Sequence, residues 1–500
     1  MRNLLTSKQR RELDVLEFLT HVGTPQQVKE IAEYANINNR MVMETIRNIN
    51  DGYDFIDIFK MEDLYGIKYK NNTSIDRVYN KIYESNIYFA IIRYIFFHDT
   101  ATLDDLSNAL YVSESTTYRS ILKVNEILTE KYGFSIDSYP YQFTGDELHI
   151  RLFMQRFFIE SSTIINWPFP DHDRKFYESM LLQMVSYTPY KLDVYSLNQL
   201  SISVIVNEIR YNYGHKHNLP ITRLQSSLAD AVDLYDFNLH ELNKQFNLNL
   251  DEEYIEQILG LYIEQEFKYD YAEIEALRDN NAHIHKILEY LEDTLDTLIS
   301  RFKIPLTNRE SLLLELYNIV LIENQANTHP FILRDLYWEH NQKIRNYYPA
   351  FYDAVFKGMD GYCKLVLGDD YDPHLVYAIV YSVLNYWEDL FVHLANKVSP
   401  VDILVLADIT LEGSRQTADN IKTVFGSRVN VYTWDALTIS EEMLKDSPYD
   451  VICTPFSIPN IPGKEIYTIT SESYQYNFQS LETVIDRIRY QEFKKQMSEE

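Results

Sequence analysis

The stretch "LYVSESTTYRSIL", residues 110–122, carries four hydroxyl side chains within five residues, followed by a tyrosine and an arginine. A helix that begins near Ser113 turns one side inward, namely Thr117, Ile121, Val124 and Leu128. Ser113 is then the N-cap, where its side-chain oxygen can accept an unpaired backbone N–H of the first turn. The stretch therefore predicts a capped helix with an exposed, hydroxyl-rich N-terminal end.

The outer face of this helix carries polar and charged residues. Short hydroxyls and a guanidinium at a helix N-terminal end suit contacts with phosphates and base edges when that end enters the major groove of DNA. We predict DNA contacts for five residues: Ser113, Ser115, Thr116, Arg119 and Lys123. The alternative for the two basic side chains is a solvated helix face. The neighbouring Tyr118 is expected to join the apolar core.

Another helix and a hairpin flank this one. The segment "TLDDLSNAL", residues 102–110, has a helix start signal, because Thr102 can cap and Asp105 follows three residues later. A short turn joins the two helices, which is the spacing of a helix-turn-helix. Residues 134–150 then alternate in polarity like a two-stranded wing. The strongly apolar residues 75–98 are predicted to form one core helix.

The same order of elements occurs earlier in the chain. A helix over 8–20 precedes "GTPQQVKEIAEY", where Thr24 is the candidate N-cap of the next helix. The segment "NNRMVMETIRNIN", residues 38–50, supplies the second helix after a three-residue turn. Residues 55–70 alternate like a hairpin. A first helix-turn-helix with a wing is therefore predicted.

The second helix of that first unit has a charged outer face. Arg40 and Arg47 lie on it with Glu44 between them. We predict DNA contacts for Arg40 and Arg47. The alternative is an ancillary or structural unit, since Glu44 can neutralise both arginines.

The pattern changes after the first third of the chain. From about 165 to 395 the apolar period is that of helices, in segments such as 195–213, 252–268, 282–302 and 310–325. Two stretches of similar length, 175–285 and 290–395, predict two helical bundles in tandem. After Pro400 the order strand, helix, strand, helix, strand predicts a parallel α/β domain.

The charge of the chain is unevenly distributed. The 500 residues have a formal net charge of −28, but residues 1–160 hold 18 Lys and Arg against 23 Asp and Glu, while residues 161–500 hold 28 against 51. The first third is thus nearly neutral and can bear local basic faces, as phosphate binding requires. Two distant cysteines, no secretory leader and no apolar run of about 20 residues predict a cytoplasmic protein without disulfide or membrane span.

Known catalytic motifs are absent from the sequence. No phosphate loop, zinc-protease, nucleophile-elbow or dinucleotide-binding motif occurs. His283 and His285 are two residues apart and would point to different faces of a helix, so they do not form a chelating pair. We therefore expect no enzymatic activity, no catalytic residue, no cofactor and no metal site.

Four segments, in this order, resemble the Mga family of stand-alone virulence and metabolic regulators of Gram-positive bacteria. They are "LYVSESTTYRSI" at 110–121, "NWPFPD" at 166–171, "YSLNQL" at 195–200 and "DSPYDVICTPFSIP" at 446–459. The resemblance implies helical bundles similar to the phosphotransferase-system regulation domains (PRDs) of sugar-responsive regulators. It also implies a last domain similar to the enzyme IIB (EIIB) sugar-transport component, used for self-association.

The sequence departs from that family pattern at the phosphorylation sites. Asn198 and Ser382 stand where the resemblance places phosphorylatable histidines, and neither can carry a phosphate on an imidazole. His215 is the remaining candidate; the alternative is an exposed helix-end residue that interacts favourably with the helix dipole. Ala407 and Asp408 stand where an enzyme IIB places its phosphorylated cysteine, so we expect that domain to be catalytically inactive.

Together these patterns predict a multidomain, mainly α protein. The expected domains are two winged helix-turn-helix domains over 1–70 and 71–165, two PRD-like helical domains over 170–287 and 288–397, and an EIIB-like α/β domain over 398–500. The leading hypothesis is a transcriptional regulator, an activator of virulence or carbohydrate-linked genes, that binds double-stranded DNA as a homodimer or larger oligomer. Phosphotransferase-system proteins are further expected partners, and no membrane is.

Two other functions remain open at this point. An RNA-binding antiterminator uses similar tandem bundles, but residues 1–160 lack the β-rich RNA module that it needs. An interaction scaffold, whose helix-turn-helix units do not bind DNA, is favoured by the overall acidity. Preference for hairpin RNA would support the first, and weak, salt-insensitive binding to DNA would support the second.

Overall fold

A computed structural model describes residues 1–23, 25–61, 63–70, 72–186, 192–217, 243–244, 246, 252–259, 268, 270–323, 331–369, 371–397, 399–406, 410–469 and 480–489. Two compact units follow from the contacts along the chain. The first comprises Met1–Glu292, Arg309–His340 and Met359–Tyr386. The second comprises Asp293–Asn308, Asn341–Gly358 and Trp387–Glu500.

The first unit begins with three helices and a small antiparallel sheet. In chain order these are α1 (Ser7–Val22), β1 (Gln26–Gln27), α2 (Val28–Tyr34), α3 (Asn39–Gly52), β2 (Ile56–Met61) and β3 (Leu64–Tyr69). β3 pairs with β2 on one side and with β1 on the other. The predicted helices and hairpin are present. Thr24 lies outside the described residues, and α2 is capped at Gln27, whose N–H donates to Glu30 Oε2 at 2.9 Å.

Five helices and a second hairpin follow. They are α4 (Asp76–Ser85), α5 (Ile87–Phe97), α6 (Leu103–Leu110), α7 (Glu114–Tyr132), β4 (Phe134–Asp137), β5 (Gln142–Gly145) and α8 (Glu147–Ser161). The prediction of a single helix over 75–98 is wrong, because Asn86 separates α4 from α5. Its Oδ1 accepts the N–H of Tyr88 at 2.9 Å, and its Nδ2 donates to the carbonyl of Leu4 at 3.3 Å.

Aromatic rings form the core around α5 and α8. Phe89, Phe96, Phe153, Phe157 and Phe158 are fully buried. Phe96 and Phe158 meet edge to face with their centroids 5.1 Å apart, whereas Phe153 and Phe157 are stacked. Burying such a side chain contributes about 1.5–3 kcal/mol, so this cluster is a main source of stability for the unit. The predicted core role of the segment "IYFAIIRYIFF" is confirmed.

Helices dominate the middle of the chain. The described residues there contain α9 (Arg174–Val185), α10 (Val194–Asn212), α11 (Glu252–Leu259), α12 (Tyr271–Arg278), α13 (Ala282–Phe302), α14 (Arg309–Glu323), α15 (Leu336–Tyr347), α16 (Pro349–Leu367), α17 (Pro373–Tyr386) and α18 (Leu390–Lys397). The helices predicted at 195–213 and 282–302 are therefore confirmed, and the helix predicted at 310–325 is confirmed as far as Glu323. Of the helix predicted at 252–268, residues 260–267 lie outside the described residues.

The second unit contains a four-stranded parallel sheet. Its elements are β6 (Val401–Val405), α19 (Leu411–Phe425), β7 (Val429–Thr433), α20 (Glu441–Lys445), β8 (Val451–Thr454), β9 (Glu465–Thr468) and a helix over 480–489. The strand order is β7-β6-β8-β9. Alternate residues pack on opposite faces, so Ile403 contacts the cluster that holds Ile421 and Leu481, whereas Leu404 contacts the one that holds Leu444. The predicted strand and helix alternation is confirmed, and β9 extends it.

Candidate nucleic-acid interface

Side-chain caps define the two helices that the opening sequence predicts. Ser113 is the N-cap of α7, and its Oγ accepts the backbone N–H of Thr116 at 3.3 Å. Thr102 caps α6 and forms a capping box with Asp105, whose N–H donates to Thr102 Oγ1 at 3.2 Å. Both predicted caps are confirmed. The caps fix where each helix begins and hence which residues of α7 stand at its end.

A buried pair of hydroxyls joins α6 to α7. Ser107 Oγ donates to Thr117 Oγ1 at 3.0 Å, and Thr117 Oγ1 donates to the carbonyl of Ser113 at 3.2 Å. Both side chains are buried. Thr117 therefore has a structural role in the hydroxyl-rich stretch, and the exposed hydroxyls are those of its neighbours.

Replacing Thr117 by valine keeps the shape of the side chain but removes both of these hydrogen bonds. We expect the free energy of unfolding to fall by about 1 kcal/mol, because both hydrogen bonds of the Thr117 hydroxyl are lost, while Ser107 Oγ keeps the carbonyl of Leu103 as an acceptor at 2.7 Å. Native-state hydrogen exchange at the amides of α6 and α7 measures the effect, because a protein of several domains has no single unfolding free energy. Ser115→Ala, at an exposed position of the same helix turn, is the matched control and should leave these exchange rates unchanged. Equal exchange rates in both variants would contradict the role of the pair.

The outer face of α7 is accessible at its N-terminal end. Ser115, Arg119 and Lys123 are exposed, and Thr116 is half-buried. Arg119 Nε donates to the carbonyl of Ser115 at 3.1 Å. Its four terminal N–H groups bond to none of the described residues. Lys123 Nζ lies 4.9 Å from the centre of the Tyr88 ring, a cation–π contact that holds its side chain against the domain.

The prediction that Tyr118 joins the core is wrong. Its side chain is 48% exposed. Successive residues of a helix are rotated by about 100°, and Thr117 already occupies the inward position, so Tyr118 turns toward solvent next to Arg119.

An asparagine side chain fixes each hairpin to the helix before it. Asn125 of α7 accepts the N–H of Ile136 in β4 through Oδ1 at 2.6 Å. Asn50 of α3 accepts the N–H of Ile58 in β2 at 2.8 Å and donates to its carbonyl at 2.9 Å. Each hairpin is therefore held beside the second helix of its own helix-turn-helix.

The first helix-turn-helix carries its predicted DNA-contacting arginines on the exposed face of α3. Arg40, Glu44 and Arg47 are exposed, whereas Val42 and Ile46 are buried on the opposite side. Within the described part of the chain, no ion pair joins either arginine to Glu44. Both guanidinium groups are thus accessible at this face.

Two family models match the chain in consecutive order. Residues 71–158 match the model described as the Mga helix-turn-helix domain. Residues 174–386 match the model described as the M protein trans-acting positive regulator (MGA) PRD domain. The chain belongs to the Mga family.

Proteins similar to this chain have names that point to regulation. A trans-acting regulator of Streptococcus pneumoniae serotype 4 is 23% identical over 471 residues, which cover 93% of this chain and 95% of that protein. The capsule synthesis positive regulator AcpA of Bacillus anthracis is 23% identical over 60% of this chain and 63% of its own length. AcpB of the same organism is 22% identical over 61% of this chain and 65% of its own length. This Mga family member is therefore a transcriptional regulator.

Buried charges connect the Mga helix-turn-helix domain to the start of the PRD match. Glu147 of α8 accepts from Arg151 Nε at 2.9 Å and from Arg210 Nε and Nη2 of α10 at 3.0 and 2.7 Å. Asp99 accepts from Arg210 Nη1 at 3.3 Å and pairs with His215 Nε2 at 2.7 Å. Arg151 and Arg210 are 0% and 1% exposed. Buried charges of this kind are tolerated only when they are paired.

The interpretation of His215 as an exposed helix-end residue is wrong. Helix α10 ends at Asn212, and the chain folds back so that the N–H of His215 donates to the carbonyl of Arg210 at 3.1 Å. The His215 side chain is only 26% exposed, because it lies against Asp99. Sequence reasoning could not pair residues so far apart, although Arg151 within the apolar segment "LHIRLFMQRFF" signals a charge that needs a buried partner.

Asn198 and Ser382 are both buried. Asn198 lies in α10, and Ser382 Oγ in α17 donates to Glu315 Oε1 at 3.2 Å. Burial raises the pKa of the Glu315 carboxyl despite that hydrogen bond. Ala407 and Asp408 lie outside the described residues.

Neither a metal site nor a membrane-spanning helix is present in the part of the chain that the structure describes. No group of three His, Cys, Asp or Glu side chains there is arranged to hold a metal ion. No helix there is both long and apolar enough to cross a bilayer. Burial raises the pKa of both cysteine thiols, Cys363 and Cys453, to about 12, so neither is a reactive thiolate.

Proposed function

We propose that this Mga family member is a positive regulator that binds double-stranded DNA with the N-terminal end of α7. The observation that supports this most is Arg119, which is exposed near the N-terminal end of α7 and whose four terminal N–H donors bond to no residue that the structure describes. Ser113, Ser115 and Thr116 surround it with hydroxyls that suit phosphates and base edges. Lys123 adds a second charge one turn later. The names of AcpA and AcpB, which are positive regulators, support activation rather than repression.

Arg40 and Arg47 supply a second, ancillary contact in this proposal. Both are exposed on α3 and unpaired with Glu44, so they can reach phosphates beside the site that α7 occupies. Their loss should weaken binding uniformly across DNA sequences, as expected for backbone contacts.

The proposed protein acts as a homodimer or larger oligomer. The two DNA-binding domains of a dimer make twice as many phosphate contacts as one. This raises the affinity for DNA strongly, because each contact adds to the salt-dependent affinity. We assign self-association to an EIIB-like domain over 398–500, and regulation to PRD-like domains over 170–287 and 288–397 that communicate with phosphotransferase-system proteins. DNA binding is assigned to winged helix-turn-helix domains over 1–70 and 71–165. Virulence or carbohydrate-linked genes are the proposed targets.

Phosphorylation of His215 remains part of the proposal in restricted form. Its Nε2 is held by Asp99 at 2.7 Å, so a phosphoryl donor must use Nδ1 or separate that pair first. Transfer to Nε2 would place a phosphate beside the Asp99 carboxylate, which charge repulsion disfavours.

The test is a titration of the full chain against duplex DNA from upstream of its own gene at several salt concentrations. Wild type should bind with a steep dependence of log Kd on log salt. The Arg119→Ala/Lys123→Ala variant should lose most affinity and about 1.8 units of that slope, because two phosphate contacts disappear. The matched control is Arg415→Ala/Lys422→Ala, which removes the same charge from exposed positions of α19.

Each other outcome rejects a specific part of the proposal. Equal losses in both double variants would mean that net charge, not α7, determines the affinity. Unchanged binding by the α7 variant would place the DNA contact elsewhere. Tighter binding to a hairpin RNA than to the duplex would favour an antiterminator, and weak binding without salt dependence would favour an interaction scaffold.

A further inference from the structure

Tyr118, Leu122 and Tyr139 are among the large side chains that remain exposed on the second helix-turn-helix. Tyr118 and Leu122 of α7 are 48% and 50% exposed, and Tyr139, in the turn between β4 and β5, is 86% exposed. Single exposed apolar residues are common, but a group of them at one place marks a contact surface. Tyr118, Leu122 and Tyr139 are therefore candidates for one contact surface.

The three side chains lie on elements that pack together. Tyr118 and Leu122 are four residues apart and therefore lie side by side along the helix. The Tyr139 ring is 6.2 Å from the Tyr141 ring, centroid to centroid. Tyr141 pairs with Ala101, just before α6, and strand β4 of the same hairpin packs against α7. Tyr141 thus connects the hairpin turn to the helix-turn-helix.

This surface is held in place before any partner arrives. Tyr141 is buried, and its N–H donates to the carbonyl of Ala101 at 2.8 Å, which attaches the hairpin to the start of α6. Asn125 attaches the other strand to α7 at 2.6 Å through Ile136. A preformed surface loses little entropy on binding, so even modest apolar contacts contribute to affinity.

The charges around this surface indicate what it contacts. Arg119 and Lys123 on the exposed part of α7 are balanced in number by Glu114 and Glu126, which are also exposed. Few phosphate contacts are therefore available to the helix, and DNA affinity requires non-ionic contacts as well. In the major groove, the apolar group that DNA offers is the C5-methyl of thymine.

We propose that Tyr118, Leu122 and Tyr139 form an apolar surface that reads thymine methyl groups and the adjacent deoxyribose in duplex DNA. This inference rests on the proposed entry of α7 into the major groove. It names the base feature that the helix recognises. Arg119 supplies the charge, and Tyr118, Leu122 and Tyr139 supply the selection for thymine.

The experiment compares two forms of the same upstream duplex, prepared with thymine or with uracil, which differ only in the methyl group. Wild type should bind the thymine form roughly sixteenfold more tightly, because each buried methyl group is worth about fourfold in affinity and we expect two. Tyr118→Ala and Leu122→Ala should bind the thymine form more weakly, and their ratio between the two forms should approach one. Loss of the ratio, not loss of affinity alone, identifies the methyl contact.

The replaced side chains are exposed, so their loss should not unfold the protein. A third variant gives a further control for folding. Tyr139 has a φ of 68°, a left-handed conformation that asparagine adopts more readily than tyrosine. Tyr139→Asn should therefore keep the Tm of wild type while it weakens binding to the thymine duplex about threefold. All variants are compared by Tm and by sedimentation, so a folding defect or a change of oligomeric state is detected directly.

The remaining outcomes separate this inference from the function on which it rests. Wild type that binds both duplexes equally, or a ratio that persists in Tyr118→Ala and Leu122→Ala, overturns the methyl contact, since DNA shape would then account for any preference. Variants that change the sedimenting mass but not DNA affinity overturn it in favour of a protein interface. In these cases the salt dependence lost by Arg119→Ala/Lys123→Ala still supports the proposed function. Absence of DNA binding by wild type overturns both.

Discussion

Replacing Glu147 by glutamine is expected to lower the free energy of unfolding of the first unit by about 3–5 kcal/mol. The Glu147 carboxylate accepts three hydrogen bonds from Arg151 and Arg210, and both guanidinium groups are buried. Glutamine preserves the shape but carries no charge. It would leave two buried cations near each other, with Asp99 compensating only Arg210.

Native-state hydrogen exchange of α8 and α10 measures this loss, because a protein of several domains has no single unfolding free energy. The matched control is Glu178→Gln, which breaks the 2.6 Å pair with Arg174 on α9, where both side chains are about a quarter exposed. That variant should change local stability by less than about 1 kcal/mol. Similar exchange rates in the two variants would show that the Glu147 network adds nothing beyond a surface ion pair.

The same network should respond to acid. Burial acts to raise the pKa of Glu147, but the hydrogen bonds and charges of Arg210 and Arg151 outweigh it and hold the pKa below its usual range. The folded chain therefore favours the carboxylate more than the unfolded chain does. Its contribution is present above the unfolded pKa of about 4.3 and is lost as the pH falls through the lowered folded value.

Local signals were sufficient to predict much of the helix-turn-helix architecture. The caps Thr102 and Ser113 and the inward stripe of α7 depend on residues within one or two turns, so the sequence alone contains them. The break at Asn86 was missed because the polar residues Glu84, Ser85 and Asn86 also fit one exposed turn of a continuous helix, and the partner of Asn86, Leu4, is far away in the chain. Tyr118 was misassigned because a bulky aromatic beside an apolar stripe fits either face.

Long-range contacts explain the rest of what sequence reasoning missed. Asp99, Glu147, Arg210 and His215 come from three separated segments, and no periodicity predicts that they meet. Strand β9 pairs in parallel with β8 after an irregular connection, and its short sequence "EIYT" is not distinctive. Candidate DNA contacts could be proposed because they lie on one helix, whereas the network that connects the matched domains became visible only in three dimensions.

Removing the Glu160 side chain should release a segment of the Mga regulation domain from the helix-turn-helix domain. Glu160 Oε1 accepts the backbone N–H of Ile332 at 2.6 Å, and Oε2 accepts those of Leu333 and Arg334 at 2.9 and 3.1 Å. Oε2 also accepts the Tyr83 hydroxyl at 2.8 Å. Ile332 and Leu333 are fully buried, so their N–H groups would lose their partners without full access to water.

We expect Glu160→Ala to destabilise the segment that begins at Ile332 by about 2–4 kcal/mol, since several donors become unsatisfied at about 1 kcal/mol or more each. Burial raises the pKa of Glu160 even though these hydrogen bonds oppose it, so the folded chain tolerates a neutral group here. Glu160→Gln should accordingly cost less than half as much, and Tyr83→Phe, which removes one donor, only about 1 kcal/mol. Hydrogen exchange at the amides of Ile332, Leu333 and Arg334 measures this order directly. Faster exchange in Glu160→Ala together with altered DNA affinity would show that the contact couples the two domains, whereas unchanged exchange would mean that the apolar burial of Ile332 and Leu333 holds the segment by itself.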